Sequence, residues 1–229
     1  MMRSLHVPVL YGSQTGNSEL AAQNLSSNLG SLSTSKITIT SEAIQLDDFL
    51  EIQRAPWAPL IIIICSSYGV GQAPIGAWKF REMCDLINNG SETNQFQGVT
   101  YAMMGLGDSK YTTFFNNPKA IDNAMTKAGA IRVGDLCKAD ASKDQQRIIE
   151  DWSTSILSEL KKVIGKMEVN SDEDWEKIDG VMNTVRSNTH ALCRQIYDEW
   201  DKKDERSPFN LFYIIVILAI LVKVAKDRF

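Results

Sequence analysis

The chain contains few of the side chains that usually build metal or disulfide sites. Its histidines are His6 and His190, and its four cysteines are scattered without a CxxC pair. These residues are too few and too dispersed for a zinc site or a disulfide framework, so we expect no metal and reduced thiols, as on the cytosolic side of a membrane. The net charge of −4 leaves no basic excess for a nucleic-acid partner. No Ser-His-Asp or Cys-His set is evident, so no catalytic residue is assigned.

Residues 1–165 alternate short apolar runs with segments of helical period. The predicted strands are Leu5–Tyr11, Lys36–Thr40, Leu60–Ser67, Val99–Gly107 and Ile131–Cys137. The predicted helices are Asn17–Leu29, Leu46–Ile52, Ile75–Asn88, Pro118–Ala128 and Lys143–Ile164. Strands separated by helices of this length indicate a parallel sheet with helices on both faces. We therefore predict a doubly wound α/β domain over residues 1–165.

Residues 166–206 form a charged segment with an amphipathic pattern. Positions spaced alternately by three and four residues are Trp175, Ile178, Met182, Val185, Thr189, Leu192 and Ile196. This spacing predicts a helix with one apolar stripe. The helix would lie on its own domain or act as a stalk and linker, and dimerisation through residues 175–200 is the alternative.

The segment 207–229 is predicted to hold a membrane anchor and a short tail. Leu211–Val222 is uninterrupted by polar residues, and within 208–225 only Asn210 and Lys223 are polar. An α-helix over 208–225 would extend about 27 Å, enough for a thin bilayer. A buried core helix is the alternative. We expect a single-pass anchor in the endoplasmic reticulum or mitochondrial outer membrane, with the α/β domain facing the cytosol.

The turn after the first predicted strand is rich in hydroxyl and amide groups and opens a helix. It comprises Ser13, Gln14, Thr15, Gly16 and Asn17, with a further hydroxyl at Ser18. The amides of such a turn and the helix dipole suit a phosphate group. The turn has no lysine and does not fit GxxxxGK[ST] or GxGxxG, so it favours a cofactor monophosphate over a nucleoside triphosphate. An ordinary helix cap is the alternative.

Two more strand-end loops each combine glycines with a tyrosine. Tyr68 lies in the loop 66–71, and Tyr111 ends the loop 105–111. Open α/β sheets bind ligands beyond the carboxyl ends of their strands. Each tyrosine alone is typical of surface packing, but two of them beside a phosphate turn indicate a planar aromatic ligand held between rings.

The sequences GSQTGN, SSYGVG and GLGDSKY, in this order and spacing, resemble the three flavin loops of the flavodoxin family. They are most similar to those of the FMN-binding domains of diflavin reductases of the NADPH–cytochrome reductase type. The resemblance covers Leu5 to about Ile164. It implies a flavodoxin-like fold with a five-stranded parallel sheet of order 2-1-3-4-5, and FMN as the cofactor.

The resemblance also implies roles for individual residues. The phosphate loop corresponds to Ser13, Gln14, Thr15, Gly16 and Asn17. The rings that flank the flavin correspond to Tyr68 and Tyr111, and its edge to Ser67, Gly69, Leu106, Gly107 and Asp108, with Asp140 as an acidic position nearby. One departure is Val70, which stands where the family usually has an acidic residue.

From this resemblance and the predicted C-terminal anchor we expect a membrane-tethered one-electron carrier that relays electrons from a separate FAD/NAD(P)H reductase to a separate, unidentified acceptor. Reduction of the flavin creates a new N–H, which a flipped Gly69 carbonyl would accept, since glycine makes such a peptide flip inexpensive. The alternatives are an FMN-dependent NAD(P)H:quinone oxidoreductase and a tethered interaction module with a decayed flavin site.

Overall fold

The computed structural model describes residues 2–51, 57–90 and 94–205, with side chains to residue 198. The strands are β1 (Arg3–His6), β2 (Val9–Gly12), β3 (Ile37–Thr40), β4 (Ala43–Gln45), β5 (Leu60–Ser66), β6 (Thr100–Gly107), β7 (Ile131–Arg132) and β8 (Cys137–Asp140). The helices are α1 (Asn17–Leu29), α2 (Leu46–Glu51), α3 (Trp78–Asn89), α4 (Asn116–Lys127), α5 (Gln145–Met167) and α6 (Asp172–Glu205).

The strands pair in parallel, as a two-stranded sheet of β1 and β3 and a six-stranded sheet of the others. β1 pairs with β3, and the chain continues past Pro8 into β2, which pairs with β4 and β5. β6 lies beside β5 and pairs with both β7 and β8. Successive strands can be grouped into five passes of the chain across the sheet: β1 with β2, β3 with β4, β5, β6, and β7 with β8. The order of these passes is 2-1-3-4-5, as predicted. The first pass is broken near Pro8 because proline has no N–H to donate to the ladder.

The fifth pass differs from its predicted bounds of Ile131–Cys137. The chain pairs with β6 over Ile131–Arg132, leaves the sheet at Gly134, which has a φ of +67°, and returns at Cys137. β8 has no run of β-branched residues. It forms a strand because its backbone pairs with the N–H and C=O groups of β6. The return brings Asp140 opposite Gly107, at the carboxyl edge of the sheet.

Helices cover both faces of the sheet. Residues 60–65 of β5 are fully buried, as their continuous apolar run predicts for a central strand. On one face the core includes Phe49 of α2, Phe80 of α3 and Ile121 of α4. The core of the other face is built from α1 and α5. The doubly wound α/β fold is therefore confirmed.

The segment predicted as a stalk is a helix that lies against the domain. Met182, Val185 and Ile196 of α6 are buried in the same core cluster as α2, α3 and α4. The guanidinium of Arg186 donates a hydrogen bond to the Trp57 carbonyl at 3.3 Å. A free stalk is therefore incorrect for the described part of α6, and the apolar stripe expected as a dimer seam is covered by the chain's own domain.

Across the described ranges, no helix is both long and apolar enough to cross a membrane. The predicted anchor, residues 208–225, lies outside the described residues. Tethering therefore stays a prediction, as does the division of the chain at residues 165 and 206.

Candidate functional site

The three predicted loops converge on one cavity of about 470 Å³ at the carboxyl edge of the sheet. Eleven of the thirteen residues predicted from the sequence line it. They are Ser13, Gln14, Thr15, Asn17, Ser67, Tyr68, Gly69, Leu106, Gly107, Asp108 and Tyr111. The other two, Gly16 and Asp140, belong to the surrounding loops. The cavity is therefore built from the ends of β2, β5 and β6, as the topology requires.

The first loop forms one end of this cavity and leads into α1. Gly16 has a φ of +90°, a conformation that favours glycine, and its N–H donates to Ser13 Oγ at 3.0 Å. Ser18, in the first turn of α1, is 1% exposed and lines the cavity. Its hydroxyl finds no hydrogen-bond partner among the described residues. A buried hydroxyl without a partner, at a helix N-terminus, is a vacant donor for an anionic group.

The second loop is a tight turn that also lines the cavity. Backbone hydrogen bonds join Tyr68 and Gln72 in both directions, at 2.9 Å and 2.8 Å. Gly69, at φ +52°, lies at the tip, and its carbonyl accepts a hydrogen bond from Thr113 Oγ1 at 3.3 Å. The Tyr68 side chain is 49% exposed and therefore presents its ring to the cavity and the solvent.

The third loop is held against β6 by two adjacent rings. Phe115 packs on Gly105, and Phe114 packs on Gly107, where an added Cβ would lie 2.7 Å from the Phe114 ring. Side chains at these two glycines would displace both rings. Phe114 thereby forms part of the cavity wall, while Tyr111 at the mouth is 66% exposed.

Asn117 joins the second loop to the helix that follows the third. Its side-chain amide donates to the Ser66 carbonyl at 2.9 Å and to Cys65 Sγ at 3.1 Å, and its N–H donates to Ser67 Oγ at 3.1 Å. Burial raises the pKa of the Cys65 thiol to about 12. The thiol therefore stays protonated at neutral pH and has a packing role.

Asp140 lies behind the cavity, where it positions the third loop. Its Oδ1 accepts hydrogen bonds from the N–H groups of Ser109 and Ser142, each at 3.0 Å. Burial alone would raise the pKa of Asp140. The hydrogen bonds from Ser109 and Ser142 outweigh it and hold the pKa well below its ordinary value. Asp140 is thus an ionised acceptor that ties the loop after β6 to the loop after β8.

Six residues of the cavity are not among the thirteen predicted to hold the cofactor. They are Ser18, Ser66, Thr113, Phe114, Ala141 and Gln145. Ser18 was recognisable as a hydroxyl of the phosphate turn, and Ser66 adjoins a predicted position. Gln145, whose side chain donates to the Ala139 carbonyl at 2.8 Å, is brought to the cavity only by the folding of α5 against β8.

The chemistry of the lining fits FMN. One end offers hydroxyls and the N-terminus of α1, and the described lining contains no lysine or arginine, which matches a phosphate held by dipoles and hydroxyls. The other end offers Tyr68 and Tyr111, two rings suited to a flat aromatic system. The buried, unpartnered hydroxyl of Ser18 fits a phosphate at this end.

Comparison with known proteins agrees with this geometry. The flavodoxin family profile matches residues 9–152. The bifunctional cytochrome P450/NADPH–P450 reductase of Bacillus cereus is 30% identical over 175 residues, covering 76% of this chain and 15% of that protein. The NADPH–cytochrome P450 reductase of Saccharomyces cerevisiae is 33% identical over 156 residues, covering 67% of this chain and 21% of that protein. The chain thus spans about a fifth or less of the length of these two relatives.

Among solved structures, a cysteine-to-alanine mutant of flavodoxin from Pseudomonas aeruginosa aligns with a TM-score of 0.55 at 19% identity, covering 69% of this chain and 99% of that one. This alignment shows the fold. The family profile spans more than half of the sequence, and FMN is the cofactor of the flavodoxin family, so the FMN prediction is confirmed. The chain belongs to the flavodoxin family, with FMN as its cofactor and electron transfer as its activity.

Proposed function

We propose that this protein is a membrane-tethered one-electron carrier that receives electrons from a separate FAD/NAD(P)H reductase and passes them to a separate acceptor. The observation that carries the proposal is the convergence of three strand-end loops on one cavity with a phosphate end and an aromatic end. FMN, when bound, supplies the redox chemistry, and the protein supplies binding, orientation and electrostatics.

Each part of the cavity has a defined task in this proposal. The first loop and Ser18 would hold the phosphate, with the unpartnered Ser18 hydroxyl available as a donor. Tyr68 and Tyr111 flank the ring system and leave its edge near the solvent, since both side chains are about half exposed or more. An exposed edge suits electron exchange with other proteins. Gly69 and Thr113, which are joined by a hydrogen bond in the cavity lining, would contact the ring system of a bound flavin.

A reduction experiment tests whether the electron donor is a separate protein, as this proposal requires. The full chain, loaded with FMN, is mixed anaerobically with NADPH alone and then with a catalytic amount of an FAD-containing NADPH reductase. We expect the FMN absorbance to bleach only after the reductase is added. Rapid bleaching by NADPH alone would instead favour an NAD(P)H:quinone oxidoreductase.

The membrane tether rests on the composition of residues 208–225, which contain only Asn210 and Lys223 as polar residues. The full chain is reconstituted with phosphatidylcholine vesicles and floated on a density gradient. We expect the protein to float with the vesicles, and the Ile215→Arg/Ala219→Arg double variant to stay in the dense fraction, since two charges at the centre of the span are costly. Equal behaviour of the two proteins would refute the tether.

A further inference from the structure

Three large apolar side chains are exposed beside the FMN cavity. Val70 is 75% exposed, Ile75 is 63% exposed and Trp78 is 53% exposed. Val70 and Trp78 line a common groove of about 360 Å³ next to the turn that carries Tyr68. The N–H of Ile75 donates to Gln14 Oε1 at 3.3 Å, which places Ile75 against the phosphate loop. We call these three residues the apolar rim.

The course of α6 brings the chain to the same edge of the sheet. Near its start, Asp172 pairs with Arg3 at 2.9 Å, and Arg3 begins β1, so this end lies at the amino edge of the strands. Further along, Tyr197 lies 5.0 Å from the Lys79 ammonium, measured to the ring centroid. Lys79 belongs to the first turn of α3, directly after Trp78 of the rim. The helix therefore crosses the domain from the amino edge to the carboxyl edge.

Little chain separates this point from the predicted membrane segment. From Tyr197 to Glu205 α6 extends about 12 Å. Three residue steps lead from Glu205 to Pro208, and they reach at most about 11 Å. A segment that enters the bilayer at residue 208 therefore holds the carboxyl edge within about 25 Å of the membrane surface.

We propose that the apolar rim formed by Val70, Ile75 and Trp78 contacts the lipid surface, so that the FMN cavity opens along the bilayer. The inference rests on the membrane tether of the proposed function and adds the orientation of the domain. Tryptophan beside aliphatic side chains is a usual composition for contact with the membrane interface. The lipid surface would then cover the three apolar side chains of the rim, which water otherwise surrounds.

The charges around the rim indicate that contact depends on apolar insertion and not on anionic headgroups. Arg81, which lines the groove with Val70 and Trp78, is paired with Asp85 at 2.9 Å. Lys79 is paired with Glu51. Because these cations are already neutralised by partners in the domain, we expect the contact to form on neutral phosphatidylcholine and to persist at high salt.

Site-directed spin labelling of the full, FMN-loaded chain in phosphatidylcholine vesicles tests the orientation. The reporters are Val70→Cys and Ile75→Cys, and the matched control is Ser35→Cys, an exposed position that precedes β3 at the amino edge. Unsubstituted protein treated with the label gives the background from the native cysteines. Power saturation compares collisions of each nitroxide with oxygen, which concentrates in lipid, and with a water-soluble nickel chelate.

We expect the labels at positions 70 and 75 to favour oxygen over the nickel chelate by several fold, and the label at position 35 to show the reverse ratio. If the protein floats with the vesicles but all three labels favour the nickel chelate, the orientation is wrong and the tether stands. If the protein does not float, the tether fails and the orientation fails with it. Labels at 70 and 75 that lose mobility only when a soluble redox partner is added would assign the rim to a protein interface and overturn the inference.

Discussion

The hydroxyl of Thr113 donates a hydrogen bond to the carbonyl of Gly69 at 3.3 Å, linking the segment after β6 to the tip of the turn after β5. The same carbonyl is the group that would turn toward the flavin edge if the Gly69 peptide flipped on reduction. In the present conformation it is occupied by Thr113. This hydrogen bond therefore couples the two loops within the cavity lining.

This coupling predicts an effect of Thr113→Val on the redox potentials of bound FMN. A flip of the Gly69 peptide must break the hydrogen bond, at a cost of about 1 kcal/mol, or about 40 mV for one electron. Thr113→Val removes that cost, so the potential of the first one-electron step should rise by about that amount. Thr113→Ser, which keeps the hydroxyl, should titrate like the unsubstituted protein. Spectroelectrochemical titration measures both steps, and unchanged potentials in Thr113→Val would show that the Gly69 carbonyl does not move.

Ser18 provides a test of the phosphate end of the cavity. A hydrogen bond from a buried hydroxyl to a charged group contributes about 1.5–3 kcal/mol, so Ser18→Ala should raise the Kd for FMN about tenfold or more. Riboflavin, which lacks the phosphate, should bind equally to both proteins. Ser27→Ala on the same helix, where the exposed hydroxyl donates to the Gln23 carbonyl, is the control. Fluorescence titration gives each Kd, and equal losses for FMN and riboflavin would contradict a phosphate role.

Asp140 predicts a pH dependence of stability. Its pKa is lowered in the folded protein, so its contribution is complete above the unfolded value of about 3.9 and is lost as the pH falls through the lower, folded value. The Asp140→Asn variant should therefore unfold at a lower urea concentration than the unsubstituted protein at pH 7. The difference between the two urea midpoints should become smaller below about pH 4. Asp135→Asn, an exposed change in the connection before β8, is the control. A difference in urea midpoint that stays constant across this pH range would show that Asp140 does not stabilise the fold as an ionised hydrogen-bond acceptor.

Met182 tests the packing of α6 on the domain. It is 3% exposed, and truncation of a buried methionine costs about 2–5 kcal/mol. Met182→Ala should lower the free energy of unfolding of the whole α/β domain by that order, whereas Thr184→Ala, on the exposed side of the same helix, should change it little. Urea unfolding followed by circular dichroism gives both values. If the two variants unfold alike, α6 is an independent stalk after all.

Much of the site could be predicted from the sequence because its chemistry lies in short, local segments. Each of the loops around Ser13, Tyr68 and Tyr111 follows an apolar strand directly, and parallel strands end at the same edge of a sheet. Local order along the chain was therefore enough to bring eleven residues to one cavity.

What the sequence does not reveal depends on contacts between distant segments. The exposed or buried state of Ser18 and its lack of a partner follow from the packing of α1 against the sheet. β8 has weak strand propensity, and its pairing with β6 decides its structure. The stripe of α6 predicts a helix but not its partner, because the same stripe suits a domain surface or a second helix.

Titration of the full apoprotein with FMN, followed by stepwise anaerobic reduction with a low-potential reductant, tests the central claim most directly. We expect one FMN to bind with a Kd below the micromolar range and to be reduced in two resolved one-electron steps. A protein that binds no FMN at micromolar concentration, or that accepts two electrons in a single unresolved step, would contradict the account of a one-electron carrier.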